Sequence, residues 1–217
     1  MAIGRALGGV SGGVAAPAAP AVGVRPRLPR MPYGHGEMAW WGMVFLLTIE
    51  TTVFASLIFS YFYLRAGLPA WPPAGIEPPD LLLPTVNTVV LLASAVPVAW
   101  ADRGIRRGDQ FAVRAGKLAG QALLLVFLVL KAVEYSGYDY TWTTNAYGSI
   151  VWTLTGFHVA HVTVAILKSV VVLTLAWQGY FSERRYLGVQ ANAFYWYFVV
   201  LIWLPIYVTL YLSPRIL

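Results

Sequence analysis

Cysteine is absent from the 217-residue chain. Its absence excludes disulfide bonds, thiolate metal sites and a cysteine nucleophile. Charged residues are scarce as well, at 11% of the sequence, whereas 59% of the residues are hydrophobic and the mean hydropathy is +0.65. A soluble domain needs more charge on its surface, so this composition indicates an integral membrane protein.

Several motifs of catalysis are also missing from the sequence. Gly116-Lys117 lacks the upstream glycine of a phosphate-binding P-loop and is followed by Leu118 rather than by serine or threonine. The chain has no His-Glu-x-x-His helix and no Glu-x-x-His pair of the kind used by di-metal sites in helix bundles. We therefore expect no catalytic, cofactor-binding or metal-binding residues in this chain.

What the chain does contain is a series of long apolar segments. A helix needs about 20 residues to cross a bilayer, and five segments reach that length. The sequence therefore predicts an all-α integral membrane bundle of five transmembrane helices within residues 37–217. Residues 1–36 are rich in Ala, Gly and Pro and carry no acid, so they are expected to form a disordered cytoplasmic arm. The five predicted spans are 39–63, 81–101, 117–135, 147–176 and 192–211.

The formal net charge is +6, but the basic residues lie between the apolar segments rather than on one soluble face. No nucleic-acid binding is therefore expected. Lysine and arginine are enriched in cytoplasmic loops of membrane proteins, which predicts a cytoplasmic N-terminus and an outer C-terminus. We expect a multi-pass protein of a bacterial plasma (inner) membrane. The inner side would receive Arg5, Arg25, Arg27, Arg30, Arg103, Arg106, Arg107, Arg114, Lys117, Arg184 and Arg185, and the outer side Arg65 and Arg215.

Ionisable residues inside the spans are candidate functional residues, because such groups are costly at membrane depth. Glu50 and His158 each lie about 16 Å along their predicted helices, near the midplane. His161 follows His158 by three positions, so the two rings share a helix face. Lys131 and Glu134 are also three apart and are expected to pair.

No cationic residue occurs within residues 43–54, so Glu50 is expected to be isolated and neutral. Three interpretations of these polar groups stay open. They could ligate a metal, form a proton relay through Glu50 and the histidines, or simply satisfy one another, lipid head groups and a partner subunit.

The chain resembles subunit III of haem-copper cytochrome c oxidases, in a short five-helix form. The resemblance runs from about Trp40 to Tyr211. It is carried by motifs in a fixed order over the five helices: Trp41-Gly42-Met43, Glu50 with Phe54, Tyr61-Phe62-Tyr63, Trp71-Pro72-Pro73, Asn87-Thr88, Leu91-Leu92-Ala93-Ser94, Glu134-Tyr135, Tyr147-Gly148-Ser149, Thr155-Gly156-Phe157-His158, His161-Val162 and Tyr195-Trp196.

Two departures from the family pattern stand out. The family commonly has seven helices around a lipid-filled cleft, and this chain resembles the last five. Where the family usually shows Tyr-Trp-His-Phe-Val-Asp, this chain reads Tyr195-Trp196-Tyr197-Phe198-Val199-Val200. Any role of that histidine and aspartate is therefore not carried over to Tyr197 and Val200.

The resemblance implies a non-catalytic core subunit of a proton-pumping terminal oxidase of aerobic respiration. Such a subunit packs on subunit I, binds phospholipid, and supports proton uptake and durability, while subunits I and II hold the haems and copper. Cytochrome c, in preference to a quinol, would be the electron donor and oxygen the acceptor. The matched positions Glu50, Glu134, His158 and His161 are then intramembrane polar, lipid-associated residues. The alternatives are a subunit III-like accessory protein of a nitric oxide reductase system and an independent proton or ion transporter.

Overall fold

The structure is a computed structural model, and it describes residues 38–77, 79–182 and 186–216. The expected arm over residues 1–36 lies outside the described residues. Five helices are long and apolar enough to cross a membrane, and they make the chain a multi-pass membrane protein. They are α1 (Met38–Ala66), α2 (Leu82–Ile105), α3 (Gln110–Ser136), α4 (Ala146–Trp177) and α5 (Leu187–Tyr207), the last continued by a π-helical turn (Val208–Leu212) and the short α6 (Ser213–Ile216).

The third helix begins seven residues earlier than predicted, at Gln110 instead of residue 117. Gly108, at φ +75°, turns the chain after α2, and Asp109 then caps α3 by accepting a hydrogen bond from the Ala112 N–H at 3.0 Å. The predicted start is wrong because an apolar run alone does not show where a helix begins, whereas the cap at Asp109 does. Lys117 consequently lies about two turns inside the helix instead of at its start.

Helices α2 and α3 pack against each other more closely than any other pair. A Cβ at Gly116 would overlap the Pro97 carbonyl oxygen, and a Cβ at Gly120 would lie 2.8 Å from Val98. Small residues let helix backbones approach in a membrane, where packing rather than water exclusion drives association. The α2–α3 hairpin is therefore the tightest part of the bundle.

Helix α5, the most buried of the five spans, contacts α1, α2 and α4. Its Trp196 and Trp203 are fully buried and donate indole N–H bonds to α2, to Ser94 Oγ at 3.0 Å and Thr88 Oγ1 at 2.8 Å. These cross-helix bonds satisfy indole groups that would otherwise be unpaired.

Helix α1 lies at the edge of the bundle, where it contacts α4 and α5 and is the least buried of the five spans. Phe45, Ile49 and Phe59 on this helix are each more than 60% exposed in the isolated chain. An apolar face of this size is suited to lipid or to a partner's helix. The Pro-rich link after α1 folds back onto the bundle, where Trp71 makes edge-to-face contacts with Tyr61 and Tyr147.

Candidate functional site

Glu50 and His161 meet across the α1–α4 interface. Glu50 Oε2 lies 2.8 Å from His161 Nε2, and His161 Nδ1 lies 2.7 Å from the carbonyl oxygen of Phe157. The expectation that Glu50 is isolated was wrong. Its partner comes from a helix more than 100 positions away, which local spacing along α1 does not show.

His158 lies one turn before His161 but contacts a different helix. Its Nε2 lies 3.0 Å from the Val199 carbonyl oxygen of α5, and its ring packs on Trp203 and Phe127. The ring is fully buried, and its Nδ1 has no partner within the described part of the chain. Although the two histidines lie one turn apart on one helix, they do not form one site.

A cavity of about 330 Å³ opens beside the Glu50–His161 contact. Lys168 and Tyr195 line it together with both members of the pair, and the Lys168 Nζ lies 3.9 Å above the centre of the Tyr195 ring. This cation–π contact stabilises the ammonium group. We call the group of Glu50, His161, Lys168 and Tyr195 the Glu50 cavity.

Lys131 and Glu134 pair as their spacing predicts, with Lys131 Nζ 3.0 Å from each carboxylate oxygen. The Tyr138 hydroxyl donates to Glu134 Oε1 at 2.6 Å and the Tyr211 hydroxyl donates to the same oxygen at 2.5 Å. Lys131 is 1% and Glu134 6% exposed. We call these four residues the Glu134 cluster, a buried ion pair whose polar atoms are satisfied by neighbouring side chains.

Two tyrosines just beyond α3 are affected by this buried charge. Burial raises the pKa of the Tyr138 hydroxyl far above its ordinary value, and the negative Glu134 adds to that shift. Burial likewise raises the pKa of Tyr140 to about 12. Both hydroxyls therefore stay protonated throughout the physiological range and act as neutral groups.

Lys117 was expected among the charges on the cytoplasmic side, but it is a buried cation within α3. It is fully buried, donates to Asn192 Oδ1 of α5 at 2.5 Å, and lies 5.8 Å from the Trp196 ring. The signal that could have found it is the Gly108-Asp109 turn and cap, because a helix starting at Gln110 places Lys117 inside the span. Asn192, a polar residue in an apolar helix, is the matching signal on α5.

No three His, Asp or Glu side chains gather closely enough to hold a metal ion in the part of the chain that the structure describes. The Glu50 cavity offers one carboxylate and one imidazole, which is fewer than the usual four protein ligands of a structural zinc site or three of a catalytic one. The arrangement can instead hold a proton, a lipid head group or a partner side chain.

Five membrane-length helices with paired polar groups inside the bundle define a multi-pass membrane protein that lacks a soluble domain among its described residues. Comparison with known protein families identifies the family to which the chain belongs. Residues 36–214 match the family described as "Cytochrome c oxidase subunit III", and the chain belongs to this family.

Curated relatives agree with the family match. A "Cytochrome c oxidase subunit 3" from Synechocystis sp. is 32% identical over 184 residues, which cover 83% of this chain and 78% of the relative. Proteins of the same name from Drosophila yakuba and Latimeria chalumnae are 33% and 34% identical, and each match covers 79% of this chain and 68% of the relative.

Proposed function

We propose that this chain is the non-catalytic core subunit III of a proton-pumping haem-copper terminal oxidase in aerobic respiration. The observation that carries the proposal is the family match over residues 36–214, which includes all five membrane-length helices. Subunits I and II are the partners that hold the haems and copper. The complex takes electrons from cytochrome c and reduces oxygen.

Packing on subunit I is supported by the exposed apolar side chains of α1. This helix is the least buried of the five, so much of its surface is left for a partner or for lipid. A partner helix would cover residues that are bare in the isolated chain.

Lipid binding is supported by Lys168, which forms no ion pair with any acid among residues 38–77, 79–182 and 186–216. Its cation–π contact leaves ammonium hydrogens free to bind an anionic lipid phosphate at the cavity. Lys168→Gln should lose co-purifying anionic phospholipid, whereas Lys168→Arg should retain it, as measured by mass spectrometry of the purified protein. Equal lipid content in both variants would argue against this site.

The proposed orientation has the N-terminus in the cytoplasm of a bacterium and the C-terminus outside its plasma membrane. Arg103, Arg106 and Arg107 lie at the end of the bundle where α2 meets α3, whereas Arg65 and Arg215 lie at the opposite end. The larger positive charge at the α2–α3 end supports a cytoplasmic position for it. The arm over residues 1–36 is proposed to lie on the same side.

Purification of the tagged chain from its native membrane tests the assignment. A mild detergent should preserve a complex that contains haem and copper and consumes oxygen when reduced cytochrome c is supplied. Membranes with the untagged chain provide the control for non-specific recovery. A complex that reduces nitric oxide but not oxygen would favour the accessory protein instead, and a haem-free chain that transports ions would contradict both.

A further inference from the structure

The two ring nitrogens of His161 each contact an oxygen atom, and these oxygens determine where the hydrogens lie. Nδ1 contacts the Phe157 carbonyl oxygen at 2.7 Å and Nε2 contacts Glu50 Oε2 at 2.8 Å. A carbonyl oxygen only accepts hydrogen bonds, so Nδ1 carries a hydrogen and donates it. A neutral imidazole has a single N–H, so its Nε2 would then be a bare acceptor.

The contact between Glu50 and His161 therefore needs one proton more than a neutral histidine and an ionised carboxylate possess. Two acceptors at 2.8 Å would repel each other. The extra proton sits either on Oε2, which then donates to Nε2, or on Nε2, which then donates to the carboxylate. We infer that Glu50 and His161 together bind one exchangeable proton between Oε2 and Nε2, within the membrane-spanning part of the bundle.

His158 provides an internal contrast on the same helix. Its Nε2 contacts the Val199 carbonyl oxygen at 3.0 Å, so Nε2 is the protonated nitrogen of a neutral ring. The His158 ring contacts no carboxylate in the described part of the chain and needs no extra proton. His158 is thus neutral with its hydrogen on Nε2, whereas Nδ1 of His161 carries a hydrogen, and only His161 belongs to a proton-binding pair.

Access to the pair comes from the cavity side. The Glu50 side chain is 26% exposed and lines the cavity of about 330 Å³, so water can reach its oxygens. Lys168 of α4 and Tyr195 of α5 line the same cavity as the pair, and His158 lies close enough to His161 for an electrostatic interaction between the two rings.

Loss of the proton changes the charge of the pair from zero to −1, and no other bond or electron is altered. The charged Lys168 on the same cavity wall can balance that charge. The released proton passes to water in the cavity. With Lys168 charged, the pair and Lys168 together are neutral once the proton has left and carry a charge of +1 while the proton is bound.

This inference extends beyond the proposed function, because it concerns this chain alone and is testable without any partner subunit. The full chain, labelled with ¹⁵N-histidine and reconstituted in nanodiscs of phosphatidylcholine, contains only three histidines. Nitrogen NMR at pH 7 reports the protonation of each ring nitrogen, and infrared difference spectra between wild type and Glu50→Gln report the Glu50 carboxyl.

Two results would support the inference: an imidazolium at His161 with an ionised Glu50, or a neutral Nδ1–H ring with a protonated Glu50. Glu50→Gln should keep the contact, because its amide N–H donates to Nε2, and should leave His161 neutral. Glu77→Gln, a change at an exposed acid, is the matched control and should leave the His161 signals unchanged.

A neutral His161 beside an ionised Glu50 at pH 7, in either tautomer, would overturn the inference. The nitrogen signals are measured on wild type, and a carboxyl-specific ¹³C label at glutamate replaces the infrared difference if Glu50→Gln fails to fold. His158 serves as the reference within the same spectrum, and it should show a neutral ring protonated at Nε2.

Discussion

Glu134 and Glu50 are both carboxylates within membrane-length helices, but their surroundings differ in how completely each is satisfied. Glu134 is 6% exposed and accepts hydrogen bonds from Lys131, Tyr138 and Tyr211. The Glu50 side chain is 26% exposed and has one partner, His161, beside an open cavity. One carboxylate is enclosed by fixed partners, whereas the other keeps contact with a space that water or lipid can enter.

This difference shows that ionisable groups inside one helix bundle need not share a role. A buried ion pair with additional hydrogen bonds stabilises a single arrangement of the helices, and removal of one partner leaves an unpaired charge. A partly exposed pair with few partners tolerates a change of protonation. The Glu134 cluster is thus suited to holding α3 and the end of the fifth span together, and the Glu50 cavity to exchange.

The strongest test of this contrast is Glu134→Leu, which strands the buried Lys131 ammonium. Breaking a buried ion pair on one side costs about 3–5 kcal/mol, so we expect a large drop in folded yield and in the thermal unfolding midpoint in detergent. The double change Lys131→Met with Glu134→Leu removes both charges and should recover much of the loss. A double variant no more stable than the single one would contradict this account.

A smaller effect is expected at the third polar contact, between Lys117 and Asn192. Asn192→Leu removes the hydrogen-bond acceptor of the buried Lys117 ammonium, which should cost about 1–3 kcal/mol in thermal stability. Adding Lys117→Met should restore stability, because no polar group then lacks a partner. If Asn192→Leu alone is as stable as wild type, Lys117 has another acceptor and the contrast with Lys131 loses its basis.

Contacts within one helix could be predicted from the sequence, and contacts between helices could not. The Lys131–Glu134 pair follows from a spacing of three positions on α3. The partner of Glu50 comes from α4 and that of Lys117 from α5, and no local pattern shows which helices are neighbours. The five membrane-length helices were predicted because length and hydropathy determine them, whereas the start of α3 depended on the cap at Asp109.

Substitutions at Glu50 are expected to cost less stability than substitutions at Glu134. Glu50→Gln keeps a hydrogen bond to His161 Nε2 and should change stability by less than about 1 kcal/mol. Glu50→Leu leaves Nε2 without a partner, but the exposed cavity allows water to replace it, so its cost should be about 1–2 kcal/mol and below that of Asn192→Leu. Thermal unfolding of both variants in detergent measures the difference. A loss at Glu50→Gln as large as at Glu134→Leu would show that the two carboxylates do not differ.

The smallest effect is expected for Tyr138→Phe, which removes one of three donors to the Glu134 carboxylate. Its cost near neutral pH should be below about 1 kcal/mol, since Lys131 and Tyr211 remain. Its clearer readout is pH dependence. Burial raises the pKa of Tyr138 above the ordinary value of 10.0, so the folded chain keeps a proton that the unfolded chain releases at high pH.

The sign of that dependence follows from proton counts in the two states. Below pH of about 10 both states hold the Tyr138 proton, and its contribution does not vary. Above that pH the unfolded chain binds fewer protons, so stability falls as the pH rises. Tyr138→Phe should therefore flatten the decline of the unfolding midpoint from about pH 9 upwards.

Tyr140→Phe is the matched comparison. Because the pKa of Tyr140 is raised only to about 12, the contribution of Tyr140 to the decline ends near that pH. Slopes identical to wild type in Tyr138→Phe would show that the hydroxyl is as free to ionise in the folded chain as in the unfolded one.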